Sequence, residues 1–162
     1  MEDPLKILAR KIALHKHESH VPTSILPLSE IKHVTIFLDT TDADGGQIRK
    51  AAREFFEKYD AEVQLINPEK WEINWYGRRK KVKSVIADKD VNFETEDLFI
   101  NLSAEPGFTG EYEARCSKAR FKIGRLPLKG DVYDIVVTNT ENQLPRSPAV
   151  FSVIKDYLMM IK

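Results

Sequence analysis

One cysteine, Cys116, occurs in 162 residues. No intrachain disulfide and no thiolate metal cluster can form, so the fold must stand on its core, and a reducing compartment is expected. No run of about 18 apolar residues is present, so no membrane-spanning segment is expected. Net charge is lacking too: Lys plus Arg and Asp plus Glu number 25 each. A neutral chain has no global electrostatic drive toward nucleic acid or an anionic membrane, and neither is expected as a partner. The opening MEDPLKILARKIALHKH is interrupted by Lys6, Arg10 and Lys11, so it lacks the apolar centre of a signal peptide. A cytoplasmic location is expected. The phosphate-cradling patterns GxGxxG and GxxxxGK before Ser or Thr are missing, as is the nucleophile elbow GxSxG. Neither internal repeats nor low-complexity tracts are found.

What is there reads as an ordinary folded domain. Hydrophobic residues are 42% and charged residues 31%, a balance that excludes a disordered chain. A chain of this length can bury roughly two-thirds of its unfolded surface, so it needs no staple. Residues 1–30 form an N-terminal helix and a Pro-containing connector; residues 31–162 form a single α/β domain. The helix is signalled by Asp3 as cap, Pro4 in the first turn, and Leu5, Leu8, Ala9 and Ile12 at helical spacing. The connector VPTSILPLSE, 21–30, contains two prolines.

HVTIFL, 33–38, is a continuous apolar and β-branched run, as expected of a strand buried on both faces. The loop DTTDADGG, 39–46, leads into a helix over 46–59, where Ile48, Ala51, Ala52, Phe55, Phe56 and Tyr59 share one face. A second strand, 61–66, stops at Asn67-Pro68; this β-α-β unit predicts two parallel strands. WEINWY, 71–76, alternates and precedes RRKKVK, which reads either as a hairpin or as a loop into a core strand over 82–86. LFINL, 98–102, is a strand, followed by a short helix over 110–117 carrying Tyr112 and Cys116. ARFKIG, 119–124, alternates, with Ala119, Phe121 and Ile123 inward and Arg120 and Lys122 outward, as in a half-buried strand. VYDIVVT, 132–138, is the last strand. Ser147-Pro148 opens a final helix with Val150, Phe151, Ile154, Tyr157, Leu158 and Ile161 as its buried stripe. The expected fold is α/β and three-layered: a mostly parallel sheet, a Rossmann/flavodoxin-like first half, and a partly antiparallel second half suggested by the short spacing over 119–138.

DKDVNF (88–93), DLFINLS (97–103), SKARFKIGR (117–125), YDIVV (133–137) and FSVIKDYLMMI (151–161) carry a resemblance. Over residues 88–162 the chain resembles an uncharacterised family of small α/β proteins from bacteria of the Bacteroidetes type, a domain of unknown function. The resemblance implies the fold and a bacterial, cytoplasmic setting. It implies no activity and no catalytic residue.

The candidate site follows from the edge at which loops leave the strands. In open α/β sheets, ligands bind outside the carboxyl ends of strands. DTTDADGG leaves strand one there; its glycines allow close backbone approach and a helix start favours anions. Asp39, Asp42 and Asp44 are themselves anions, suited to a divalent cation or to a cation bridging to phosphate. The same residues also suit helix caps and turns, which is the plainer reading. Asp88, Asp90 and Asn92 follow a candidate strand and would add oxygen ligands for Mg²⁺ if that strand runs parallel to strand one; otherwise they close a turn. IFLDTTDA resembles the first motif of haloacid-dehalogenase-like phosphatases, in which the first Asp of Asp-x-Asp is the nucleophile. Asp39 and Asp42 stand one residue further apart, so that chemistry is not expected.

Other clusters read as structure first. His15, His17 and His20 are not at ligand spacing and suit a solvated tail. Arg78, Arg79, Lys80, Lys81 and Lys83 beside Trp71, Trp75 and Tyr76 combine cations with stacking surfaces, as single-strand binders do, but read first as a charged edge or hairpin tip that blocks strand pairing. Lys118, Arg120, Lys122 and Arg125 could hold an anion or line a solvated face. Cys116 on a helix stripe reads as a small buried hydrophobe, and Ser103 has no nucleophile motif around it.

The leading functional reading is a small-ligand binding α/β protein. Its ligand would be a nucleotide or sugar-phosphate-like anion, held at the carboxyl edge by Asp39, Thr40, Asp42, Gly45 and Gly46, with Asp90 and Asn92 opposite. No catalytic residue is assigned, and the sequence does not decide whether the chain is an enzyme. Two readings of other classes stand beside it. One is a protein–protein interaction module using the N-terminal helix or segment 71–76; that helix packing on a second copy would make a homo-oligomer. The other is a hydrolase assisted by Mg²⁺ on the same aspartates.

Overall fold

The computed structural model describes residues 4–5, 8, 24, 26–38, 45–66, 71–73, 79–81, 96–103, 108–125, 128, 132–137 and 147–161. Pro4, Leu5 and Leu8 are helical, where the proline and the leucine spacing predict a helix. Leu26 and Leu28, which fall in the Pro-containing connector, are buried with Ile31 in the main core, and Ser24 N–H donates to Arg120 O at 2.7 Å. The end of the connector therefore packs as part of the body.

β1 (His33–Phe37) forms where the apolar run predicts it, and four of its five residues are buried. α1 (Gly45–Glu57) follows, burying Ile48, Ala52, Phe55 and Phe56. Its end is closed by Asp60, which adopts φ 61°. Ala61 N–H donates to Phe56 O at 3.1 Å and Asp60 N–H to Glu57 O at 3.1 Å, the pair of bonds that satisfies the last carbonyls of a helix. β2 (Glu62–Ile66) returns parallel to β1, with Val34 opposite Val63 and Ile36 opposite Leu65. β3 (Trp71–Ile73) and β4 (Arg79–Lys81) pair antiparallel as a separate two-stranded sheet, the pairing that the hairpin reading expects. The strand expected over 82–86 lies outside the described residues.

β5 (Leu98–Asn101), α2 (Phe108–Cys116), β6 (Phe121–Gly124), β7 (Ile135–Val136) and α3 (Ser147–Met160) complete the described elements. The main sheet has the order β2-β1-β5-β6-β7, and every pairing in it is parallel. This is an α/β fold. The expectation of a partly antiparallel second half is wrong. β7 pairs parallel to β6, Ile123 opposite Ile135 and Gly124 opposite Val136. A parallel return usually takes about a dozen residues or more. Here both strands are short, and the ten residues 125–134 separate them.

Side chains alternate between the two faces. Val34, Ile36, Leu98, Ile100, Phe121 and Ile123 enter the larger core with Ile48, Phe55 and Phe56 of α1 and Val150, Phe151, Ile154 and Leu158 of α3. Phe37 and Phe99 enter the other core with Ala114 of α2, Ala119 and Tyr133. Full burial of each phenylalanine contributes roughly 1.5–3 kcal/mol. With both faces covered, β6 is buried along its whole length. Lys122 is therefore not outward in solvent, as its alternation predicts. It is 7% exposed, and its Nζ donates to Ala114 O at 2.8 Å. Tyr157 is likewise not part of the buried stripe of α3: it is 38% exposed and shares a line with exposed Val153 and Met160.

Candidate functional site

Order β2-β1-β5 places the strand that follows β1 on one side and β5 on the other, so the strand order reverses between β1 and β5. At such a reversal the connections leave in opposite directions and a crevice opens outside the carboxyl ends. Phe37 is opposite Asn101 in the register, so these two residues mark the rim. α1 begins here. Its first helical N–H groups have no partners within the helix, and no acidic side chain occupies its first turn. Gly46 is exposed, and a β-carbon there would meet nothing within 4 Å.

β5 ends in a buried polar group. Asn101 is 1% exposed. Its Nδ2 donates to the Tyr133 hydroxyl at 2.9 Å, and its Oδ1 accepts the Ser103 N–H at 2.9 Å. This turns the chain at the strand end and satisfies the amide on both sides. Tyr133 is held above the usual phenol range, up to about 12. Burial is the main cause; Glu111 adds to it, while the Asn101 hydrogen bond and Arg115 oppose it. Arg125, the residue after β6, is also buried, and its Nη1 donates to Leu102 O at 3.1 Å. A guanidinium thus sits by the carboxyl ends of β5 and β6, one strand from the reversal. It is a permanent cation with a fixed fork of donors.

The opposite, amino edge is held by Asp97. Its Oδ2 accepts Lys32 N–H at 2.8 Å and His33 N–H at 3.0 Å, and its Oδ1 lies 3.6 Å from Arg120 Nη2. One carboxylate therefore ties the entry of β1 to the entry of β5. The cations around β6 consequently split. Lys118 and Arg120 are exposed, Lys122 and Arg125 are buried, and the four do not make one anion site.

Of the residues singled out from the sequence, Gly45 and Gly46 stand at the start of α1, on the carboxyl edge. Asp39, Thr40, Asp42, Asp44, Asp88, Asp90 and Asn92 lie outside the described residues, as do His15, His17 and His20. Ser103 is buried, its N–H bonded to Asn101, and Cys116 ends α2. Among the described residues no group of three His, Cys, Asp or Glu side chains could hold a metal ion. The sequence reading passed over Asn101, Asp97 and Tyr133. A lone amide in the apolar run LFINL was the one local signal for Asn101; Asp97 and Tyr133 act on residues far away in the chain.

No helix among the described residues is long and apolar enough to cross a membrane. No family model matches the chain, and neither a curated protein nor a solved structure does.

Proposed function

We propose that this protein binds a small anionic ligand, of the nucleotide or sugar-phosphate kind, at the carboxyl edge of the sheet between β1 and β5. The observation that carries the reading is the reversal of strand order there, with the start of α1 on one rim. The strand order, 2-1-3-4-5 among the sheet strands alone, supports a flavodoxin-like form of the doubly wound fold. Gly45, Gly46 and the backbone of the first turn would receive the anion. Asp39, Thr40 and Asp42 from the β1–α1 loop, with Asp90 and Asn92, would hold a bridging Mg²⁺ or the polar part of the ligand.

The test is thermal unfolding against nucleotides, sugar phosphates and divalent cations, on wild type, Asp39→Asn and Gly46→Asp. A ligand at about 100 times its dissociation constant stabilises by roughly 2.7 kcal/mol. For a chain of this size that is about 5–10 °C. Gly46→Asp places a carboxylate in open space at the helix start, so it competes with an anion without disturbing packing. A shift lost in both variants supports the site; no shift with any compound removes the reading. A shift with divalent cations alone, lost in Asp39→Asn, moves the assignment toward the metal-assisted hydrolase.

One observation favours a second reading, an interaction module. Val153, Tyr157 and Met160 form an exposed apolar line on α3, at 53%, 38% and 71% exposure. Sedimentation of wild type and Tyr157→Lys decides it: a concentration-dependent dimer lost in the variant supports self-association, and a monomer throughout removes it.

We further propose membership of the bacterial, cytoplasmic α/β family that residues 88–162 resemble. The segments that carry the resemblance, DLFINLS and SKARFKIGR, contain β5 and β6. A member's structure with an antiparallel strand in this half would reject it.

A further inference from the structure

The hairpin β3–β4 is a sheet of its own and carries the densest run of positive charge in a neutral chain. Residues 71–83 hold five cations and one anion, together with both tryptophans of the protein. The pairing register sorts them. Trp71 is opposite Lys81 and Ile73 is opposite Arg79, whereas Glu72 is opposite Lys80. Directly opposed residues of an antiparallel pair share a side of the ribbon, and neighbours along a strand alternate. One side therefore bears Trp71, Ile73, Arg79 and Lys81: an aromatic position with a cation across from it, and a second cation one pair further on. The single anion, Glu72, and the third paired cation, Lys80, fall together on the other side.

We propose that this side of the hairpin binds single-stranded nucleic acid. Arg79 and Lys81 supply phosphate contacts and Trp71 supplies a stacking platform for a base. Charge complementarity selects a polyanion. The aromatic position across from Lys81 selects one whose bases are free to stack, rather than a duplex. The chain's overall neutrality sets no long-range attraction, so binding is expected to be local, modest in affinity and steeply weakened by salt. This inference is independent of the ligand site on the main sheet.

The experiment is fluorescence anisotropy of a labelled oligothymidine and a labelled oligouridine with the full chain, across a salt series. Each phosphate contacted on a single strand contributes about −0.7 to the slope of log K against log salt. Arg79→Gln with Lys81→Gln is expected to flatten the slope by about 1.4, while Lys80→Gln leaves it unchanged. Trp71→Ala is expected to weaken binding about tenfold with the slope retained, and Trp71→Tyr to restore most of it, which separates stacking from a folding defect. Three results would overturn the proposal: no binding of either oligonucleotide at low salt, a slope flattened equally by Lys80→Gln, or binding to phosphatidylserine vesicles alone.

Discussion

The ring of Tyr133 lies over Gly124, in the space a β-carbon at that position would fill. The residue after that glycine, Arg125, reaches the end of β5, and the Tyr133 hydroxyl accepts the Asn101 amide there. The absence of a side chain on β6 thus lets a residue of the β6–β7 link close the smaller core. Gly124→Ala must displace the ring or the strand, a change that costs about 1–3 kcal/mol. Urea unfolding should show a lower midpoint with an unchanged slope. An unchanged midpoint would mean that the ring moves aside freely.

Tyr133 also sets a pH dependence. Its phenol is pushed from 10.0 up to about 12 by burial. In the unfolded chain it ionises near its ordinary value, so above pH 10 the unfolded state has lost the proton that the folded state still holds. Stability attributable to Tyr133 is therefore complete below about pH 10 and is lost as pH rises toward 12, roughly 2–3 kcal/mol in all. Unfolding free energies measured at neutral pH and across this window should fall with that profile. Tyr133→Phe should flatten it. The same variant should be less stable at neutral pH by about 1–3 kcal/mol, because the buried Asn101 amide loses its acceptor. A profile identical in wild type and variant would assign the dependence to other groups.

Asp97 offers a test at the other edge. It accepts two backbone N–H groups from residues 64 and 65 positions away, at the entry of β1. Asp97→Ala leaves both without that acceptor and should cost about 2–3 kcal/mol. Asp97→Asn keeps an acceptor oxygen and should cost less than half of that. Arg120→Ala should cost under about 1 kcal/mol, since its ion pair with Asp97 is long, at 3.6 Å, and half in solvent. Chemical denaturation of the three variants checks the order; equal costs for Asp97→Ala and Arg120→Ala would show that the ion pair, not the backbone clamp, matters.

What was legible in the sequence was whatever depends on near neighbours. HVTIFL could only be a doubly buried strand, and Ile48, Ala52, Phe55 and Phe56 could only be one helix face. The alternation of ARFKIG misled because it reports the period of a strand, not how many faces are covered. With α2 over the second face, Lys122 is buried and donates to a helix carbonyl. The parallel sense of β7 was hidden for a different reason: link length limits crossovers only relative to strand length, and β7 is two residues long. The carboxyl edge proposed for the ligand was legible as a place in the fold, from the β-α-β unit. The polar group that closes β5 was not, because Asn101 and Tyr133 meet across 32 residues. The aspartates of both candidate loops lie outside the described residues, so the site rests on the glycines and the topology.

The end of α1 supplies the last prediction. Asp60 sits at φ 61°, the left-handed conformation in which a β-carbon crowds the following carbonyl. Helices usually place glycine there, because it enters this region without steric cost. Asp60 is exposed, so replacing it removes no packing. The turn itself is defined by backbone bonds from Asp60 and Ala61 to Glu57 and Phe56, which any residue can make. Asp60→Gly relieves the strain but gives the unfolded chain more freedom, so the net gain should be about 0.5–1 kcal/mol. Asp60→Ala keeps the β-carbon and loses the short polar side chain that tolerates this conformation, so it should be destabilising by a similar amount. In a chain of this length each such step moves the melting temperature by about 1–4 °C. Glycine above wild type and alanine below it would confirm that the α1–β2 turn is under backbone strain; glycine and alanine melting together would show that the turn relaxes around whatever residue is present.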